Sequence, residues 1–330
     1  VRFPYKVRAW AIVFLLFSSI ISLSYSQEAN SYLFSFYNLE NLFDTKDDSL
    51  THDEEFTPEG ARFWTESKFQ RKISRLSSSI LSIGEWQPVD LLGVCEVESA
   101  HVLNQLIERG GLSKMDYQVV HFESPDRRGI DVALIFRKER LSFIGAQNKK
   151  IQLNGRDDFR TRDILVCQFE LDDRELFVLV NHWPSKYGGA MATIPLRNGV
   201  AHICAALVDS LKQSNPKASV MLMGDFNAEP QEECMNILES EAKLKSSFNS
   251  EGQGSNKYQG QWSLIDRIFI DENFEKVFSI NRSGVHKVEM LLEADEKFLG
   301  EKPKRSFQGF KYMDGYSDHL PVFIEFNPRP

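Results

Sequence analysis

The sequence predicts an α/β protein in which two packed, mixed β-sheets are flanked by helices. Three observations lead there. Near-continuous apolar runs rich in β-branched and aromatic residues recur along the chain, as in strands buried on both faces. Segments with apolar residues three or four apart lie between them, as in amphipathic helices. Several neighbouring runs are close enough to form hairpins, so the sheets are mixed rather than wholly parallel.

The elements follow in order. Residues 1–26 open with Arg2, Lys6 and Arg8, continue as an apolar run from Ala9 to Leu23 containing Ser18 and Ser19, and end on Ser24-Tyr25-Ser26. This is the pattern of a secretory signal peptide cut after Ser26. An uncleaved membrane anchor is the alternative, and the run is short for the ~20 residues a membrane span needs. The protein is therefore expected to be exported, periplasmic or extracellular, with no stable membrane association after cleavage. The 42% hydrophobic and 26% charged content of the 330 residues is that of a globular chain able to bury a sizeable core. Removing residues 1–26 takes away three basic residues and no acidic ones, moving the net charge from −8 to −11. Such a chain has no long-range attraction for polyanions and must hold phosphate through a local basic patch or a metal.

Strands are expected at Tyr32–Tyr37, Val89–Cys95, Tyr117–Phe122, Ile130–Phe136, Ile164–Leu171, Leu176–Val180, Val220–Met223, Leu264–Ile270 and Leu320–Phe326. Ile130–Phe136 with Leu141–Phe143, and Ile164–Leu171 with Leu176–Val180, read as hairpins. Helices are expected over Glu66–Ile83, from the spacing of Phe69, Ile73, Leu76, Ile80 and Ile83, and over Val102–Ile107 and Arg197–Leu211, stopped by Gly110-Gly111 and Asn215-Pro216. No linker, repeat or low-complexity tract divides residues 27–330, which are expected to form a single, monomeric domain. Two stretches read as surface loops. Asp44–Gly60 carries seven acidic residues and reads as a solvated face, with a structural Ca²⁺ site as the alternative. Ser246–Gln261 is rich in Ser, Gly, Asn and Gln and reads as a loop near the site mouth. The four cysteines, at 95, 167, 204 and 234, admit three pairings that spacing does not select, and Cys95 and Cys167 fall inside apolar runs as small buried hydrophobes.

Polar motifs stand where the apolar runs stop: Asn38-Leu39-Glu40, Glu96, Asn181-His182-Trp183-Pro184-Ser185-Lys186, Gly224-Asp225-Phe226-Asn227, Asp266 and Ser317-Asp318-His319. Carboxylates, an amide and imidazoles at strand ends can bind a hard divalent cation and activate a water. There is no Gly-rich phosphate loop, no Cys/His zinc spacing and no Gly-x-Ser-x-Gly, which removes support from nucleotide-driven, zinc and acyl-transfer chemistry.

Taken in order, together with Arg128-Gly129-Ile130-Asp131-Val132-Ala133-Leu134 and Leu264-Ile265-Asp266-Arg267-Ile268, these motifs resemble the endonuclease/exonuclease/phosphatase superfamily of DNase I-like fold. The opening Asn38-Leu39-Glu40-Asn41-Leu42-Phe43-Asp44 and Asp53-Glu54-Glu55-Phe56-Thr57-Pro58 are most similar to its exported bacterial branch. The resemblance implies a four-layer αββα sandwich with the site at one end of the paired sheets. It implies Glu96 as ligand of Mg²⁺ or Mn²⁺, with Asn38 and Glu40 assisting. It implies Asp225 as the group that orients or deprotonates the attacking water, Asn227 as a donor to phosphate, and His319 paired with Asp266 as a cation facing phosphate. Asp318 would lie beside the water or metal, and His182 would serve the leaving oxygen. Arg128, Arg162 and Lys186 are the candidate basic patch. The implied activity is hydrolysis of a phosphoester by in-line water attack, with DNA or RNA as the leading substrate. A small or lipid head group, sphingomyelinase-like or inositol-phosphate-like, is the alternative. A non-catalytic binding module would require substitutions among these residues, and none is present.

Overall fold

The computed structural model describes residues 31–85 and 87–329; the expected signal segment, residues 1–26, lies outside the described residues. The first half of the chain runs β1 (Tyr32–Leu42), α1 (Glu66–Ile83), β2 (Leu91–Val97), α2 (Ala100–Arg109), β3 (Tyr117–His121), β4 (Asp131–Arg137), β5 (Ser142–Lys149), β6 (Ile164–Leu171) and β7 (Arg174–His182). The second half runs α3 (Ala190–Ser214), β8 (Ser219–Asp225), α4 (Glu233–Ser240), β9 (Leu244–Ser246), a ribbon of β10 (Asn256–Tyr258) and β11 (Gln261–Ser263), then β12 (Asp266–Asp271), α5 (Glu272–Val277) and β13 (Phe278–Val285). Two further ribbons, β14 (Leu292–Ala294) with β15 (Glu301–Pro303) and β16 (Phe307–Gln308) with β17 (Lys311–Tyr312), precede the last strand, β18 (Val322–Pro328).

Twelve of these strands form two six-stranded sheets, ordered β13-β18-β1-β2-β4-β3 and β5-β6-β7-β8-β12-β9. Each has one parallel pair at its centre, β1/β2 in the first and β7/β8 in the second, and antiparallel neighbours outside it. A parallel pair needs a crossover, and α1 and α3 supply the two.

Strand alternation sorts the side chains into layers. Phe34 and Phe36 of β1 meet Val178 and Val180 of β7, Met221 and Met223 of β8, and Ile268 and Ile270 of β12 in the core between the sheets. Leu33 and Tyr37 of β1 face the other way, onto Ile73, Leu76 and Ile80 of α1 and Leu103 and Leu106 of α2. Leu179, Leu222 and Phe269 of the second sheet likewise pack on Val200, Ala201, Cys204 and Val208 of α3 and Leu238 of α4. The order of layers is helix, sheet, sheet, helix, the predicted αββα sandwich. Each fully buried Leu, Ile, Val, Met or Phe in these layers contributes about 1.5–3 kcal/mol. All four cysteines are buried and free.

The α1 helix has the predicted limits, because Phe69, Ile73, Leu76, Ile80 and Ile83 make an unbroken buried stripe. The α3 helix starts seven residues before the expected Arg197, at Ala190, and carries Pro195 inside it. One predicted hairpin is wrong. The chain leaves the first sheet after β4, and β5 joins the second sheet beside β6. The turn between them is anchored by Arg137 and Arg140, which both reach Asp90 Oδ1, at 3.1 and 3.2 Å. Phe143 then enters the seam, its ring 5.2 Å from Phe136 of the first sheet and 5.5 Å from Phe169 of the second. The other hairpin, β6/β7, is present, turning through Asp172 and Asp173 at φ 47° and 60°.

Candidate active site

The alternation that fills the inter-sheet core also builds the site. In β1 the inward series Phe34, Phe36 continues to Asn38. In β7 the series Val178, Val180 ends on His182, and in β8 Met221, Met223 ends on Asp225. In β12, running the opposite way, Ile270 and Ile268 lead back to Asp266. At one edge of the sandwich, therefore, the apolar filling gives way to an amide, an imidazole and two carboxylates, all buried. Backbone register fixes them side by side, since His182 and Asp266 are both direct partners of Asp225.

Glu96 breaks the alternation. A register shift between Cys95 and Val97 accommodates it, and its φ of +58° is left-handed, uncommon for a side chain larger than Asn or Asp. The kink leaves Glu96 Oε1 3.9 Å from His182 Nε2. The second oxygen, Oε2, accepts Asn41 N–H at 3.0 Å. Glu40 and Asn41 are also left-handed, at φ 49° and 55°, so both central strands kink where they reach the site.

Asp225 is the centre of the cluster. Asn38 Nδ2 donates to its Oδ2 at 3.1 Å, and Asn227 N–H to its Oδ1 at 2.9 Å. His182 Nε2 and His319 Nε2 lie 3.7 and 3.8 Å from the same Oδ2. Burial, then the charge of Asp266, pushes the Asp225 carboxyl up to about 7, against the pull of His319. His319 Nδ1 is 2.6 Å from Asp266 Oδ2. Burial opposes the charge on this imidazole, but Asp266 and then Asp225 overcome it and hold it well above the ordinary histidine value. His182 shifts the other way. Burial, followed by the charges of Arg162 and Arg128, holds it well below the ordinary value, so it is neutral. The site thus pairs one imidazolium with one neutral imidazole.

The His319 segment is tied to both sheets. Ser317 Oγ donates to Asn38 O at 2.7 Å and accepts His319 N–H at 3.1 Å. Asn256 bridges His319, and the neighbouring Ser255 Oγ accepts Asp266 N–H at 3.1 Å. The Ser246–Gln261 stretch is therefore part of the site's frame: Ser255 is fully buried and β10 lies within it.

Other predicted site residues have their own partners. Glu40 is not free beside Glu96; its oxygens accept the N–H groups of Ser306 and Phe307 at 2.6 and 3.3 Å, and Lys72 Nζ lies 3.8 Å away. Burial, then the charge of Asp318, pushes its carboxyl up to about 7. Arg162 is buried, donating to Asp126 at 3.1 Å and to Trp183 O at 2.7 Å. Lys186 pairs with Glu232 at 2.7 Å. Arg128 is half-exposed, its Nε 3.9 Å from Asp126. Asn227 Nδ2 donates to Trp183 O at 3.1 Å, leaving one amide hydrogen to give. Asp318 Oδ1 is 4.0 Å from His319 Nε2, and its Oδ2 accepts from Arg305 Nη2 at 2.8 Å.

Sequence reading missed Lys72, Arg305 and Ser255. Lys72 carried a signal: it lies three residues after Phe69 and four before Leu76, on the buried stripe of α1, and it donates to Ser306 Oγ and Tyr316 O. Arg305 and Ser255 sit in polar stretches where only the tertiary structure selects them.

Residues 33–328 match the sequence profile of the Endonuclease/Exonuclease/phosphatase family. The chain belongs to this family. No curated protein is similar enough in sequence to count as a match. Among solved structures of the same fold is TDP2 of D. rerio complexed with single strand DNA product, at 17% identity and TM-score 0.56, covering 90% of this chain and 99% of that one. The human Nocturnin catalytic domain with bound sulfate anion aligns at 18% identity and TM-score 0.57, covering 91% and 95%. An endonuclease/exonuclease/phosphatase family protein from Bacteroides thetaiotaomicron aligns at 16% identity and TM-score 0.57, covering 90% and 97%. At family level the protein is a phosphoesterase, and its buried Asp225, Asp266 and His319 are among the groups placed closely enough to hold a metal ion.

Proposed function

We propose that this protein is a divalent-metal-dependent nuclease that hydrolyses phosphodiester bonds of DNA or RNA. The observation that supports it most directly is the meeting of Glu96, Asn38, His182, Asp225, Asp266 and His319 at one edge of the sandwich, with one imidazole charged and one neutral.

Glu96 and Asn38 fit a hard cation. Among the described residues no donor reaches Glu96 Oε1, and Asn38 Oδ1 accepts Glu40 N–H at 2.9 Å, which leaves a lone pair. Glu40, with both oxygens bonded to backbone, is a support for the strand end in this reading. Bound there, Mg²⁺ or Mn²⁺ would act as a Lewis acid on a phosphoryl oxygen.

The chain's own groups do the rest. Asp225, with a carboxyl near neutrality and oriented by Asn38 and Asn227, accepts the proton of the attacking water. His319 presents Nε2–H between Asp225 and Asp318, where it stabilises the non-bridging oxygens as charge gathers on them. Asp266 holds that imidazole in orientation and charge. His182, held neutral, suits an N–H hydrogen bond to the leaving oxygen, which then takes its proton from solvent. The single strand DNA product of the TDP2 structure supports a polynucleotide over a head group. Action outside the inner membrane rests on the pattern of residues 1–26.

The test is hydrolysis of single-stranded DNA, RNA, sphingomyelin, inositol phosphates and bis(p-nitrophenyl) phosphate, side by side, with Mg²⁺, with Mn²⁺ and with EDTA. Turnover of a polynucleotide that EDTA abolishes is the expected result. Turnover confined to the head groups would assign the site to the other substrate class, and undiminished turnover in EDTA would remove the metal.

A further inference from the structure

A second cationic feature lies on the His319 side of the site, away from Arg128 and Arg162. Asp318 forms one wall of a small cleft of about 70 Å³, whose other walls are Lys257, Lys302, Pro303, Arg305 and Gln308. Three of the six lining residues, Lys257, Lys302 and Arg305, are cations, which suits the cleft to an anionic group. Lys257, one of the lining residues, has a nearly buried side chain whose ammonium pairs with Asp295 at 2.9 Å and donates to Leu299 O at 2.9 Å. Lys302 is only loosely paired, 3.4 Å from Glu293. Arg305 donates Nη2 to Asp318, while its buried Nε lies 3.6 Å from Glu40 Oε1.

The rim continues this pattern. Gln308 and Lys311 are cross-strand partners in the β16–β17 hairpin. Their neighbours Phe307 and Tyr312 pack edge to face at 5.4 Å, so Gln308 and Lys311 share the opposite face of the hairpin, and of the two Gln308 lines the cleft. From Lys302 to Tyr312 the sequence has four basic residues and no acidic one, in a chain whose net charge is −8. At the hairpin tip Phe310 is 64% exposed. An aromatic ring beside a cationic cleft is the pairing by which single strands are held without sequence preference.

We infer that this cleft is a subsite for a neighbouring phosphate of a single-stranded polynucleotide, with Phe310 as a stacking face for the base beyond it. The inference rests on the nuclease reading and adds a direction to it. His319 Nε2 and Arg305 Nη2 lie 4.0 and 2.8 Å from the two oxygens of Asp318, so the cleft adjoins the side of the site that His319 faces. The strand would cross from the Arg128 side, over Asp225, to the Lys302 side. The basic run from Lys302 to Lys311 supplies locally the attraction that the acidic chain lacks globally.

The test uses the double variant Lys302→Gln/Lys311→Gln and the single variant Phe310→Ala. First, binding of labelled single-stranded DNA and RNA oligonucleotides is measured by anisotropy in EDTA, without turnover. The double variant is expected to bind about tenfold more weakly, with the slope of log affinity against log salt reduced by about 1.4, since each phosphate contact on a single strand contributes ~0.7. Phe310→Ala is expected to bind about tenfold more weakly with the slope unchanged, a stacked base being worth ~1–3 kcal/mol. Second, with Mg²⁺, the double variant should raise KM for the oligonucleotide while hydrolysing bis(p-nitrophenyl) phosphate, which has one phosphorus, at the wild-type rate. Equal oligonucleotide binding by wild type and double variant overturns the inference and leaves the phosphoesterase reading intact. So does a parallel loss on both substrates, which marks the lysines as structural. Failure of the wild type to cleave either substrate counts against the nuclease reading, and the binding arm still decides the cleft.

Discussion

Asp266→Asn is the sharpest probe of the site. The substitution keeps shape and removes one charge 2.6 Å from His319 Nδ1, where both groups are buried. Removing one partner of a buried pair costs about 3–5 kcal/mol. If the imidazolium is what faces the phosphate in the transition state, that loss falls on the barrier. At ~1.4 kcal/mol per decade it lowers kcat at neutral pH by about 10²- to 4 × 10³-fold. The sign with pH follows from the direction of the shift. In the wild type His319 is held well above its ordinary value, so it stays charged through neutrality. Its contribution to stability is full below the unfolded value of ~6.5 and is lost as pH rises through the folded value. In the variant the support is gone, so the activity optimum moves to lower pH. The stability gap between the two proteins should be widest in acid and narrow in base. The assays are kcat against pH on bis(p-nitrophenyl) phosphate, NMR titration of the His319 ring, and urea unfolding across the same range. A variant whose kcat stays within threefold of wild type, with an unmoved optimum and an unmoved His319 titration, would refute the charge-pair argument.

Three other substitutions test the surrounding structure. Lys72→Met leaves Glu40 buried and short of one cation, and should cost about 3–5 kcal/mol in chemical denaturation; a loss below 1 kcal/mol would mean that Arg305 alone neutralises Glu40. In Gly93→Ala the new Cβ would lie 2.6 Å from Met223 Sδ across the seam, so destabilisation of about 1–3 kcal/mol is expected by thermal melting. Glu96→Gln should abolish the Mg²⁺-dependent activity and also the Mn²⁺ binding seen by electron paramagnetic resonance; retained Mn²⁺ binding would move the ligand role elsewhere.

The strands were legible because burial on both faces writes itself as an apolar run, and α1 because its stripe is unbroken. What defeated the reading was partner choice. Arg137–Leu141 looks like a hairpin turn locally, yet it carries the chain from one sheet to the other, and only Phe143 meeting Phe136 and Phe169 across the seam decides between them. The proposed site residues stand out in the sequence as a series of motifs, and Asn38, His182, Asp225 and Asp266 each end an inward-facing series. Their neighbours were not. The bonds that occupy Glu40, Arg162 and Lys186 come from Ser306, Asp126 and Glu232, none of which a local pattern links to them. The short ribbons β10–β11, β14–β15 and β16–β17 are polar and only two or three residues per strand, too brief for any periodicity.

Asn38 and Glu96 belong to one sheet, and His182, Asp225 and Asp266 to the other. The gap across the chemistry is therefore set by the girth of what lies between the sheets, and Phe36, Met223 and Val180 act as spacers for it. Exchanging a Met for a Leu well below the catalytic edge, with no polar atom touched, would reset the calliper on which turnover depends. If the proposed site is the catalytic one, its rate would respond to the middle of the sandwich as well as to its mouth.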